Sequence, residues 1–372
     1  MSKIDDLIAE MCLDGVPLIK LGDLEDQGIV KLGRGDVISK TDLSDTPGEY
    51  PVYSSSAASD GLFGKYGQYM FNDEKITWSI DGGGKFFYRK KHKFSVTNVC
   101  GWMKVLKSES VSTRYLYYVL ISIWGGRTYN YTVKAHPSVI REDYFIPLPP
   151  LEIQKEIVAI LDKFTELEAE LEAELEARKK QYEFYREQLL IKNEELRGHV
   201  EWKNLGDVVE IKHGKDYKKL GKGNIPVYGS GGIMSYVDSF VYDKATVLIP
   251  RKGTITNIFY LDTPFWNVDT IYYTIIRNEI IIPKYLFYFM KILDLRTLDT
   301  GSGRPSLTMN ILNKIKIPVP PLAEQERIVS ILDKFDALVN NISIGLPAEL
   351  KARRQQYEYY RNQLLNFSPL DK

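Results

Sequence analysis

The chain has 372 residues, 44% of them hydrophobic, and its 49 basic residues balance 49 acidic ones, enough for two or three domains with cores of their own. Its two cysteines, Cys12 and Cys100, stand far apart, which excludes a disulfide framework and a cysteine-based zinc site. No run approaches the roughly 20 apolar residues that cross a bilayer, and the opening MSKIDDLIAEM carries acids where a secretory leader carries bases, so a cytoplasmic protein without a membrane partner is expected.

Residues 1–16 read as a short N-terminal helical segment. In residues 17–148, β-branched and aromatic runs such as ITWSI (76–80) and KFFY (85–88), bounded by Gly, Asp and Pro, predict short strands, and a helix is expected over 115–123. Residues 149–198 form a helical region. Pro149 and Pro150 end an extended segment, and the apolar face beyond them runs through Ile157, Leu161, Phe164, Leu167, Leu171, Leu175, Tyr182, Tyr185 and Leu189. Residues 199–319 repeat the mixed pattern, with strands at 246–249 and 270–273 and a helix at 283–293. Residues 320–372 form a second helical region, opened by Pro320 and Pro321, with Ile328, Leu332, Phe335, Val339, Ile342, Leu346, Leu350, Tyr357, Tyr360 and Leu364 on its apolar face. Gly345 and Pro347 are expected to kink that helix or split it.

The two halves are copies of one pattern. Residues 146–164 read IPLPPLEIQKEIVAILDKF and residues 317–335 read IPVPPLAEQERIVSILDKF, identical at thirteen of nineteen positions. A second block, ARKKQYEFYREQLL at 177–190, recurs as ARRQQYEYYRNQLL at 352–365, identical at ten of fourteen. Leu21-Gly22-Asp23 matches Leu205-Gly206-Asp207, and Tyr50-Pro51-Val52-Tyr53 matches Ile225-Pro226-Val227-Tyr228. The fold class is therefore α+β: two mixed α/β domains separated by two long helices. Each apolar seam needs a partner, and a pseudo-twofold repeat favours an antiparallel intrachain coiled coil. Overall neutrality hides a division, with 17 basic against 14 acidic residues in 17–150, 16 against 11 in 199–320, and 7 against 13 in 151–196. Two mildly basic modules flank an acidic rod.

Enzymatic motifs are missing. Asp81-Gly82-Gly83-Gly84-Lys85 lacks the GxxxxGK[ST] spacing of a phosphate loop and reads as a turn between strands, and Gly229-Ser230-Gly231-Gly232 lacks the context of a dinucleotide fingerprint. His92, His136, His199 and His213 are not at metal-ligand spacing, and neither a GxSxG elbow nor an N/D-P-P-Y methyltransferase motif occurs, so no catalytic or metal residues are assigned. Basic residues interleaved with aromatics mark the candidates for DNA contact: Lys85, Arg89, Lys90, Lys91 and Lys93 in KFFYRKKHK, with Arg251, Lys252 and Thr254 as their counterpart. Lys134, His136, Ser138, Arg304, Ser306 and Thr308, near the HPS and RPS turns, complete the set. Such bases neutralise phosphates or read guanine, and the same composition also suits a solvated hairpin. Tyr182, Tyr185, Tyr357 and Tyr360 lie on the seams and are expected to fill the helix pair or a partner interface.

The two IPxPPLxxQxxIVxILDKF blocks, the two ARxxQYExYRxQLL blocks and the paired HPS and RPS turns resemble the specificity subunit of type I restriction-modification systems, over essentially the whole chain. The resemblance implies two target-recognition domains, each reading one half of a split site in double-stranded DNA, and two helical spacer regions. It also implies partners: two modification (methyltransferase) subunits that bind S-adenosylmethionine and methylate adenine, and restriction subunits that hydrolyse ATP with Mg²⁺ for cleavage. The chain itself would bind no cofactor and catalyse nothing. The tandem tetrads LEAELEAELEA at 167–177 suit a spacer, since four helical residues add about 6 Å. An alternative within this reading is a type IIB-like system with one fused methyltransferase-nuclease partner. Two other classes predict different behaviour: an enzyme acting alone would turn over DNA unaided, and a purely structural coiled coil would give no sequence-dependent protection.

Overall fold

The computed structural model describes residues 3–56, 60–130, 132–191, 200–298, 306–341 and 343–370. The first repeat comprises α1 (Lys3–Met11), β1 (Leu18–Lys20), α2 (Leu21–Asp26), β2 (Val30–Arg34), α3 (Lys40–Asp45), β3 (Tyr50–Tyr53), β4 (Leu62–Tyr66), β5 (Lys75–Ser79), β6 (Phe86–Arg89), β7 (Ser95–Val96) and β8 (Cys100–Val105). It continues through α4 (Thr113–Trp124), α5 (Pro137–Asp143) and β9 (Phe145–Pro147) into α6 (Leu151–Leu190). The second comprises β10 (Glu201–Asn204), α7 (Leu205–Val208), β11 (Val209–Lys212), β12 (Ile225–Gly229), β13 (Gly232–Val237), β14 (Thr246–Pro250), β15 (Phe259–Leu261), β16 (Trp266–Asn267) and β17 (Ile271–Ile276). It ends with α8 (Pro283–Ile292), α9 (Met309–Asn313), β18 (Lys316–Val319), α10 (Leu322–Asn340) and α11 (Leu346–Leu364).

The chain divides into two compact units, one of Met1–Glu170 with Lys351–Lys372, the other of Leu171–Leu350. Among the described residues, unit 1 holds a four-stranded sheet in the order β2-β8-β5-β6, a three-stranded sheet β4-β3-β7 and a ribbon β1-β9. Unit 2 repeats this strand for strand, as β11-β17-β14-β15, β13-β12-β16 and β10-β18. β5 (KITWS) and β14 (TVLIP) are inner strands of the larger sheets and are buried along their whole length, as runs of β-branched and apolar residues require. Each core closes over a helix: Tyr115, Leu116 and Tyr118 of α4 in unit 1, Tyr285, Leu286 and Phe289 of α8 in unit 2. No described helix is long and apolar enough to cross a membrane.

The repeated blocks owe their likeness to a duplicated joint. Gln154 and Gln325 are fully buried. The Gln154 carbonyl accepts from Ser112 N–H at 2.9 Å, and its amide donates to the carbonyls of Ser110 and Pro149 at 3.1 and 2.9 Å. Gln325 makes the same three bonds, to Ile282 N–H and the carbonyls of Ile280 and Pro320, at 2.8, 3.0 and 2.8 Å. Two turns on, Asp162 accepts from Tyr118 and from Arg114, and Asp333 accepts from Tyr288 and Lys284. The Tyr115 and Tyr285 hydroxyls complete the set by donating to the carbonyls of Pro147 and Pro318. These groups fasten the start of each rod helix to its own domain. Substituting Gln154 by Leu leaves a part-buried N–H and two carbonyls, that of Pro149 buried, without these partners, and thermal unfolding is expected to register a loss of about 2–4 kcal/mol; unchanged stability would contradict the joint.

The leading part of each apolar seam is consequently domain core. Ile153, Ile157 and Leu161 join the cluster around Tyr115, and Ile328 and Leu332 join that around Tyr285. Beyond it the helices pack on helices. In unit 1 Phe164 stacks on Tyr360 at 5.4 Å and Glu168 pairs with Arg354 at 2.6 Å, so α6 numbers rise as α11 numbers fall and the pair is antiparallel. In unit 2 Tyr182 and Tyr185 stack on Phe335 of α10 at 6.3 and 5.8 Å. The second helical region is split. The Asn341 side chain accepts from Ser343 and Ile344 N–H, and Gly345 packs where a Cβ would stand 2.4 Å from the Ala337 carbonyl. Pro347, without an N–H, then sits in the first turn of α11.

Candidate nucleic-acid interface

In each unit the loop that leaves the inner strand of the larger sheet is joined to the segment before the short helix. In unit 1, Ala135 N–H donates to the Ile80 carbonyl at 3.0 Å, the Trp78 indole donates to the Ala135 carbonyl at 2.7 Å, and Lys134 pairs with Asp81 at 3.1 Å. Lys134 and His136 are thereby brought to the glycine turn that carries Lys85, with Ser138 in the first turn of α5. That turn links β5 to β6 through Gly83 and Gly84, both at positive φ, as its composition suggests. In unit 2, Lys252 bridges to Ser306, Leu307 N–H donates to the Arg251 carbonyl at 2.7 Å, and Thr308 caps α9. Arg251, Lys252, Thr254, Ser306 and Thr308 therefore form one neighbourhood, and Asp269 anchors Lys252 at 2.8 Å. Two stretches separated by about 50 residues in sequence converge in both units. Arg304 and His199 lie outside the described residues.

The remaining unit 1 candidates separate at the far end of β6. Lys90, Lys91 and Lys93 are exposed, Lys93 over the rings of Tyr69 and Tyr50 at 4.8 and 5.3 Å. Arg89 requires a correction. It is 6% exposed, its guanidinium lies 3.5 Å from the Tyr53 ring, and it donates to Thr77 Oγ1 and to the Asp60 carbonyl at 3.0 and 2.6 Å. It is a strut between β6 and the β3–β4 loop and has no face to offer a phosphate.

The four seam tyrosines also divide. Tyr182 is buried, and burial pushes its hydroxyl up to about 12, as it does that of Tyr357; both stay neutral and belong to the packing inside their units. Tyr185 and Tyr360 are 41% and 40% exposed, each edge-on to a neighbour that sequence reading passed over, Phe184 (58%) and Tyr359 (60%). The pairs match in geometry, at 5.5 Å and 76° against 5.4 Å and 77°. The FY and YY dipeptides of the second repeated block were the available signal. Among the described residues no cluster of His, Cys, Asp or Glu is arranged to hold a metal ion.

The family model for the type I restriction modification DNA specificity domain matches the chain twice, at residues 20–177 and 199–352. The chain belongs to this family. Each match takes in one mixed domain and much of the helical region beyond it, to residue 177 of α6 in the first and into α11 in the second. A Haemophilus influenzae protein that carries the name of a type I restriction enzyme specificity subunit is 33% identical over 336 residues, covering 82% of each chain. The specificity subunit of the EcoR124I/EcoR124II type I restriction enzyme of Escherichia coli is 37% identical over 273 residues, 64% of each. The fold is also that of solved family members. The S subunit of a type I restriction-modification system from M. genitalium superposes with a TM-score of 0.60 at 20% identity, covering 94% of this chain and 96% of that one. A chain from a structure of type I R-M complex assembly and conformational transition gives 0.61 at 14% identity, covering 95% and 98%.

Proposed function

We propose that this specificity-family chain is the non-catalytic DNA-reading subunit of a restriction-modification assembly. Unit 1 reads one half of a split site in double-stranded DNA and unit 2 reads the other, while α6 sets their spacing. The helical regions recruit two methyltransferase subunits, and restriction subunits join them for cleavage; S-adenosylmethionine, ATP and Mg²⁺ act on those partners. The observation that carries the reading is the duplicated basic neighbourhood: the same place in both folds holds Lys85, Lys134 and His136 in one unit and Arg251, Lys252 and Thr254 in the other. A common scaffold with different polar side chains is what two half-sites of unlike sequence require. The matching exposed pairs Phe184/Tyr185 and Tyr359/Tyr360 support docking of one partner twice. The test is an exchange of residues 17–146 for those of another family member, with methylome sequencing as the readout. One half of the methylated motif is expected to change and the other to persist; a change in both would refute the division of labour.

A further inference from the structure

The smaller sheet of each unit carries a bulged hairpin. In unit 2 the register runs Val227 opposite Ser235 and then Tyr228 opposite Ile233, which leaves Met234 as the extra residue. In unit 1 Val52 faces Gly64 and Tyr53 faces Leu62, which leaves Phe63 extra at the same place. A bulge bends its strand and re-aims the residues around it. The outward residues differ between the copies: Ile233, Met234 and Tyr236 are 50%, 58% and 53% exposed, and Leu62, Phe63 and Lys65 occupy the matching positions.

In unit 2 this apolar face lies between two basic loops. At the tip, Ser230 N–H donates to Thr270 Oγ1, Asn257 donates to the Ser230 carbonyl, and a Cβ on Gly253 would lie 3.0 Å from Ser230 Oγ, so the tip abuts the Arg251–Lys252 loop. At the base, Asp238 N–H donates to the Gly221 carbonyl at 3.0 Å and so holds the loop that carries exposed Lys215, Lys218, Lys219 and Lys222; Asp216 and Asp238 offset two of those charges. In unit 1 the place of that loop is taken by the acidic helix α3, whose Leu43 packs on Gly64.

We propose that the β12–β13 hairpin enters the DNA major groove and that Ile233, Met234 and Tyr236 read thymine methyl groups in the half-site of unit 2. The proposal rests on the DNA-reading function above. A two-stranded ribbon fits the major groove, where the C5-methyl of thymine is the apolar feature of the base edges. The lysines at one end and Arg251 and Lys252 at the other are placed for the flanking phosphates. The cationic frame on both sides of the apolar strip complements the phosphate backbones that border a groove.

The full chain with its methyltransferase subunits is allowed to select its site from a random duplex library. Binding is then measured to that site with thymine or deoxyuracil in the half that persists when residues 17–146 are exchanged. The wild type is expected to bind the uracil form about tenfold more weakly. The variant I233A/M234A/Y236A alters exposed side chains only and is expected to bind both forms equally, with the other half-site read as before. Equal binding of both forms by the wild type, or discrimination retained by the variant, would overturn the proposal while leaving the DNA-reading function standing. Selection of no sequence by the wild type would overturn both.

Discussion

Deletion of one tetrad, residues 168–171, is expected to move the two half-sites closer by one to two base pairs and to leave the sequence of both unchanged. Residues 151–170 belong to unit 1 and residues 171–190 to unit 2, so the tetrad lies at the boundary of the units within one continuous helix. Removing four residues shortens a helix by about 6 Å, close to two base-pair steps, and turns its C-terminal remainder by about 40°. The joints that hold the recognition domains, at Gln154 and Asp162 and at Gln325 and Asp333, are untouched by the deletion. Methylation at the original spacing should therefore be lost almost completely and reappear at the shorter one. Methylome sequencing reads both. Unchanged spacing would refute the role of α6 as a ruler, and altered half-sites would refute the independence of rod and readers.

The second large effect concerns assembly. Phe184→Asp combined with Tyr359→Asp places a charge in each duplicated exposed aromatic pair and is expected to abolish binding of both methyltransferase subunits. Each substitution alone should leave one bound. The rings at 184 and 359 are more than half exposed and pack edge-on against Tyr185 and Tyr360, so folding should be preserved. Exposed aromatics at an interface centre commonly account for about 2 kcal/mol or more of binding each, and a carboxylate buried there adds a desolvation cost. Native mass spectrometry gives the stoichiometry directly; two copies retained by the double variant would remove the aromatic pairs from the interface.

The architecture is readable from the chain because it occurs twice. Thirteen identities in nineteen positions place the rod helices, and the Pro149-Pro150 and Pro320-Pro321 pairs place their starts. The reason for those identities is not readable. Gln154 and Asp162 act on Ser112 N–H, Tyr118 and Arg114, which lie in the diverged part of the repeat and meet the helix only in the folded domain. Apolar spacing likewise marks Ile157 and Leu161 as seam, since periodicity reports a buried face and not what buries it. Arg89 stands in the most basic stretch of the first domain, yet the β3–β4 loop encloses it; enclosure depends on a neighbour about 30 residues away. The bulged hairpins escape sequence reading for a related reason. A bulge is a property of strand register, and neither GIMSYV nor LFGKY signals an extra residue on its own.

The central claim is that one chain reads two separate half-sites, one per unit. Methylome sequencing of cells expressing this chain with its methyltransferase subunit tests it most directly. The account predicts a motif of two specified halves separated by a run of unspecified bases of fixed length. A single uninterrupted motif, or methylation without sequence preference, would contradict it.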